Sequence, residues 1–171
     1  MKKVFLILVV AFMTLFAKET FSQNLMLNAN THETTVERCA GYFYDNSSTG
    51  NYATSIDRWV TICPPASSAN TRTALTFEEF NIDPSDTVFI YQGVGINAPI
   101  MTTGNNIPYF QNQDLQGLTI MPSLMMNSPC LTLRLVSNGS ATASGWKAKI
   151  ECARDCQFPE ASLDTFFYKY D

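Results

Sequence analysis

The stretch Leu131-Thr-Leu-Arg-Leu135 alternates apolar and polar residues without a break. Successive side chains of a strand point to opposite faces, so Leu131, Leu133 and Leu135 share one face and Thr132 and Arg134 the other. Ala74-Leu-Thr-Phe-Glu78 repeats the pattern, with Leu75 and Phe77 opposed to Thr76 and Glu78. A strand with one apolar and one wet face belongs to an antiparallel sheet.

Working outward, further short runs are rich in aromatic and β-branched residues. They cover residues 41–44, 56–62, 72–80, 87–91, 115–120, 131–137 and 145–152. Turn-forming clusters separate them, such as Asn46-Ser-Ser-Thr-Gly-Asn51 and Ser137-Asn-Gly-Ser140. Residues 23–38 are mixed and polar, a linker or a loose first strand. Beyond the first residues no helical periodicity occurs. Seven or so short strands with frequent turns predict an all-β sandwich.

The chain of 171 residues has Lys2 and Lys3 near its start, then an apolar run of thirteen residues from Val4 to Phe16, then a polar stretch. That order reads as an export signal over residues 1–22, with a run too short to span a membrane comfortably. Removing it leaves 149 residues, enough for one domain with a core. The remaining charge is 8 basic against 14 acidic residues, or −6. This argues against nucleic acid or an anionic membrane as partner. All five cysteines lie in the exported part, where disulfides are the default. Their spacing is not that of a zinc site: Cys152 and Cys156 are one lone close pair, and the single histidine, His32, lies far upstream of it.

Several segments recur together in one order: Cys39-Ala-Gly-Tyr-Phe-Tyr-Asp45, Gly50-Asn-Tyr52, Trp59-Val-Thr-Ile-Cys63, Leu75-Thr-Phe77 and Asp86-Thr-Val-Phe-Ile-Tyr-Gln-Gly93. They end in Cys130-Leu-Thr-Leu-Arg-Leu-Val-Ser-Asn138 and Gly145-Trp-Lys-Ala-Lys-Ile-Glu-Cys152. The set resembles a CUB domain of the exported bacterial type, over residues 39–152. The resemblance implies a jelly-roll sandwich with disulfides Cys39–Cys63 and Cys130–Cys152. A hairpin turning at residues 137–140 would bring the second pair together, although residue spacing alone permits other connectivities. One departure is visible: in many animal members the second cysteine precedes the Trp-x-Ile strand, whereas Cys63 follows it here. Trp146 reads as a core anchor, and Tyr42-Phe43-Tyr44 as core and edge packing.

The same resemblance places a calcium site on the bend Asp83-Pro-Ser-Asp86 and the turn that follows Ser137. Carried over residue by residue, its ligands are Asp83, Asp86 and Asn138, with Ser140 as a further oxygen donor. Calcium accepts carboxylate, amide and hydroxyl oxygens at loose angles. Two carboxylates in place of three predict a weak site. A second reading stands beside it: Asp83 and Asp86 serve an Asx-type turn at a strand start.

Enzyme chemistry finds little footing. One histidine gives no Ser-His-Asp or Cys-His arrangement, and Gly93-Val-Gly95 opens no helix for phosphate. Glu78 and Glu79 are strand neighbours that point apart. The expectation is a non-enzymatic module of the periplasm, outer surface or secreted space. It would recognise a protein or glycan, as an adhesion module of a larger surface protein. The alternatives are a stalk domain of an adhesin and an accessory domain of an exported hydrolase. Residues 153–171 read as a linker and the start of a further domain. Cys156 is then an unpaired or externally paired cysteine.

Overall fold

A computed structural model describes residues 24–154. The expected export signal, Cys156 and most of the segment beyond the sandwich lie outside the described residues. Nine strands form two sheets: β1 (Leu25–Met26), β2 (Thr34–Glu37), β3 (Tyr42–Tyr44), β4 (Asp57–Cys63), β5 (Thr71–Asn81), β6 (Thr87–Tyr91), β7 (Thr119–Ile120), β8 (Leu131–Val136) and β9 (Gly145–Arg154). The first sheet runs β1-β3-β9-β5-β7 and the second β2-β4-β8-β6. The described residues contain no helix, so none is long and apolar enough to cross a membrane. The architecture is the expected jelly-roll β-sandwich.

The alternation read from sequence sets the core. Leu131, Leu133 and Leu135 are fully buried, with Val60, Ile62, Val88 and Ile90 beside them on the second sheet. Leu75, Phe77, Trp146, Ala148 and Ile150 face them from the first. The β5–β9 register shifts between Phe77 and Glu79. This bulge leaves Glu78 and Glu79 both exposed and returns Phe80 and Ile82 to the core. Strict alternation would have turned Phe80 outward.

Residues 23–38 hold more than a linker or one loose strand. Leu25 and Leu27 are buried, β1 pairs with β3 and β2 with β4, both in parallel. Of residues 115–120 only Thr119–Ile120 form strand, and Leu115 is buried within a turn.

The four cysteines expected in disulfides are bridged, but in a different one of the three possible pairings. Cys39 joins Cys152 and Cys63 joins Cys130. The expected hairpin fails because β8 and β9 belong to different sheets, and residues 137–144 cross between them. Strand register explains the bridges that form. Tyr42 faces Lys149, so three steps outward Cys39 faces Cys152. Ile62 faces Leu131, so one step outward Cys63 faces Cys130. Each bridge therefore ties two neighbouring strands of one sheet. The closed loops span 113 and 67 residues. In the loop-entropy model each bridge, taken alone, is worth about 4–5 kcal/mol, more than the ~3 kcal/mol of a twenty-residue loop.

Candidate functional site

Both bridges lie at one end of the sandwich, and the expected ligand residues lie at the other. Thr87, which follows Asp86, pairs with Val136, two residues before Asn138. The sheet register thus brings the two loops together. Asp83-Pro-Ser-Asp86 closes as a turn, with the Asp86 N–H donating to the Asp83 carbonyl at 2.9 Å. Asp83 Oδ1 accepts the Ser85 N–H at 2.9 Å and the Ser85 hydroxyl at 2.5 Å. These Ser85 bonds, the hydroxyl first, hold the Asp83 carboxyl below its ordinary range.

Asp86 is buried. Its Oδ2 accepts the Tyr52 hydroxyl at 2.6 Å, and its Oδ1 accepts the Asn138 N–H at 2.8 Å. The Tyr52 oxygen in turn accepts the Asp83 N–H at 3.0 Å. Burial first, then the bond to Asp86, raises the Tyr52 hydroxyl well above a free phenol, so it stays protonated and donating. Asn138 Oδ1 accepts both the N–H and the hydroxyl of Ser140, and its Nδ2 donates to the Ser85 carbonyl at 3.2 Å. Gln111 Nε2 donates to the carbonyls of Pro84 and Asp86 at 2.8 and 2.7 Å. Asp83, Asp86, Asn138 and Ser140 thus form one connected cluster. The bonds of an Asx turn are present within it. Among the described residues, no three His, Cys, Asp or Glu side chains gather at one point.

Sequence reasoning missed a third carboxylate at this end. Asp45 follows β3 and is fully buried. Its Oδ1 accepts the Ser47 N–H at 2.5 Å and its Oδ2 the Trp146 N–H at 2.9 Å. Burial pushes its pKa up to about 6 despite those two bonds. The space it fills exists because residue 145 is glycine. Gly145 has φ +73°, and a Cβ there would overlap the Asp45 carboxylate. Sequence makes Trp146 a core anchor, and it is buried, meeting Phe43 edge to face at 5.5 Å. The glycine before it belongs to Asp45. Tyr52 and Gln111 are further members of the cluster that sequence reasoning missed. Tyr52 stands inside the Gly50-Asn-Tyr52 segment, yet nothing local marks a tyrosine that binds an aspartate 34 positions away.

His32 sits beside β4, two strands across the second sheet from β6. Its Nδ1 accepts the Trp59 N–H at 3.3 Å, and its ring meets the Trp59 edge at 6.2 Å. Glu78 pairs with Lys147 at 2.7 Å and accepts the Tyr42 hydroxyl, on the outer face of the first sheet.

No family model and no curated protein matches the sequence. Solved structures match the fold. The full extracellular region of zebrafish Gpr126/Adgrg6 aligns with 70% of this chain and 14% of its own, at 18% identity and TM-score 0.53. The CUB1-EGF-CUB2 region of human MASP-1/3 aligns with 74% of this chain and 46% of its own, at 16% identity and TM-score 0.53. The chain has a CUB fold. It spans less than half the length of either matched protein, and the likeness concerns the CUB architecture alone.

Proposed function

We propose that this CUB domain is an exported, non-enzymatic binding module that engages a protein or glycan through its Asp83–Asn138 end. One observation carries the reading. Asp83, Asn138 and Ser140 are surface groups whose positions are fixed from beneath by buried Asp86 and Tyr52. Loops held in place before contact lose little entropy on binding. Two disulfides and the basic-apolar start of the chain support export. We place the domain in a larger bacterial surface protein, with Cys156 paired beyond the sandwich. In the alternative role of a stalk domain of an adhesin this end would have little ligand of its own; the other alternative is an accessory domain of an exported hydrolase.

The finer part of the reading is calcium. The cluster offers two carboxylates, an amide and hydroxyls, a hard all-oxygen set that suits calcium rather than zinc. With two charges its affinity falls at the ~10⁻³ M end of extracellular sites. At about 10 mM calcium such a site stabilises the fold by about 1.4 kcal/mol, a rise in Tm of roughly 3–5 °C. The variant to compare is Asp83→Asn, because Asp83 is exposed on one side whereas Asp86 holds the core of the network. Wild type should show the rise and Asp83→Asn should not. No rise in wild type, or an equal rise in both, overturns calcium. A glycan array and a protein pull-down, each with and without calcium, test the binding role itself.

A further inference from the structure

The alternation that buries Val60, Leu133 and Val88 turns their neighbours outward. Trp59, Arg134 and Phe89 therefore share the outer face of the second sheet. They stand on one rung, since Trp59 pairs with Arg134 and Arg134 with Phe89. His32 extends the rung on one side, its ring 6.2 Å from that of Trp59. Tyr109 extends it on the other, its ring 6.4 Å from that of Phe89. All five residues are half-buried. A lone aromatic residue on a wet sheet face needs no explanation. Here four rings and a guanidinium follow one another across the sheet, each beside the next.

The row is held in place. Arg134 Nε and Nη2 donate to the two carboxylate oxygens of Asp57 at 2.7 and 2.5 Å. This bidentate pair fixes the guanidinium and cancels its charge. The guanidinium carbon lies 5.8 Å from the centre of the Phe89 ring. Towards the disulfide end the same face is closed. Thr61 and Thr132 are fully buried. The Gly95 N–H donates to their hydroxyls at 3.2 and 2.9 Å, and Thr132 donates to the Gly93 carbonyl at 2.7 Å. Residues 93–95 thus lie across the sheet and form a step beside the aromatic row. The outer face of the first sheet is different in kind. There Lys147 caps the Tyr42 ring at 4.5 Å, and two lysine–glutamate pairs meet the solvent.

We propose that the row formed by Trp59, Arg134, Phe89 and Tyr109 binds a neutral polysaccharide. It is a second surface, on the face of the sandwich rather than at the Asp83–Asn138 end. A sugar ring has apolar C–H faces that pack on aromatic rings, and a rim of hydroxyls that bond to fixed polar groups such as Asp57 and Arg134. Trp59 and Phe89 stand two strand spacings apart, about 10 Å, which suits a short run of sugar units. The charge balance favours this occupant. The ion pair in the row is internally neutral, and the exported part carries 8 basic against 14 acidic residues. A nucleic acid also stacks on aromatic rings, but that balance repels it. A folded protein partner needs about 800 Å² and twenty or more residues per side, more than one rung supplies.

Affinity electrophoresis of the full chain, in gels that hold hydroxyethylcellulose, galactomannan or arabinoxylan, tests the proposal. Heparin is the anionic comparison. At least one neutral polymer should retard the wild type. Trp59→Ala should weaken that binding about tenfold or more. Tyr44→Ala, on the outer face of the first sheet, should leave it unchanged. Acrylamide quenching of wild-type tryptophan fluorescence gives a reading that needs no variant. Trp146 is buried, so the quenching reports Trp59, and a polymer that retards the protein should lower it. No retardation by any of the three polymers overturns the proposal, as does retardation by heparin alone. Quenching that a retarding polymer leaves unchanged overturns it too. Retardation lost in Asp83→Asn but kept in Trp59→Ala would move the sugar to the loop end; this proposal then fails while the binding role of that end stands. Capture of a protein through Trp59, with no polymer bound, assigns the row to a protein partner and overturns the proposal as well.

Discussion

Asp45 gives the sharpest test of the structure, because its burial and its titration are tied. Both of its oxygens accept backbone N–H groups, and among the described residues no ion pair reaches it. Its pKa rises from 3.8 to about 6. The folded state thus holds this proton more tightly than the unfolded chain does. The associated stability is fully present below about pH 4 and is lost as pH rises to 6. At about 1.36 kcal/mol for each pH unit between those two values, the loss is about 3 kcal/mol. Other carboxylates act in the opposite direction: Asp57 and Asp83 are lowered, so their contributions fade as pH falls. The measurement must therefore be a difference. Wild type and Asp45→Asn are unfolded in urea with disulfides intact, from pH 4 to pH 7. The substituted side chain places an amide N–H₂ against a backbone N–H, a constant cost that does not change the slope. Wild type should lose about 2.4 kcal/mol of that stability relative to the variant between those limits, since the unfolded carboxyl is already half ionised at pH 4. A difference that stays flat, or that favours wild type as pH rises, refutes the burial of an ionisable Asp45.

The Tyr52 hydroxyl both donates to Asp86 and accepts from Asp83. Tyr52→Phe should cost about 2–4 kcal/mol in urea unfolding, since it strands a buried carboxylate oxygen; a loss under ~0.5 kcal/mol would show that the bond carries nothing. Peptide mapping without reduction should recover Cys39 joined to Cys152 and Cys63 joined to Cys130. A peptide joining Cys39 to Cys63 would refute the register argument.

What the sequence makes legible follows from how local each signal is. Thr87–Tyr91 is delimited to the residue because a turn precedes it and glycine follows it closely. Leu131, Leu133 and Leu135 announce their face because period two is a property of the strand itself. Phe80 is illegible because a bulge is decided by the partner strand. The disulfide pairing differs from expectation for a related reason. A Ser-Asn-Gly-Ser turn looks the same whether the chain folds back in its own sheet or crosses to the facing one. Only the register with β3 and β4 distinguishes these outcomes. The site is half legible. Asp83, Asp86, Asn138 and Ser140 do come together, while Tyr52 and Gln111 belong to it through contacts 34 and 25 positions apart, and Asp45 at the same end binds the Trp146 N–H 101 positions away.

The two ends of the sandwich solve one problem with different chemistry. Strand ends fray, because their last side chains have neighbours on one side only. At one end a disulfide ties β3 to β9 in the first sheet, and another ties β4 to β8 in the second. At the other end a carboxylate takes that place in each sheet. Asp45 joins the end of β3 to the start of β9, and Asp86 joins the start of β6 to the end of β8. Tyr52, on the loop that follows β3, reaches Asp86 and so links the two sheets. A disulfide is indifferent to protons and cations, whereas a buried carboxylate responds to both. The pH response of Asp45 therefore belongs to the carboxylate end. At the opposite end the corresponding ties are covalent.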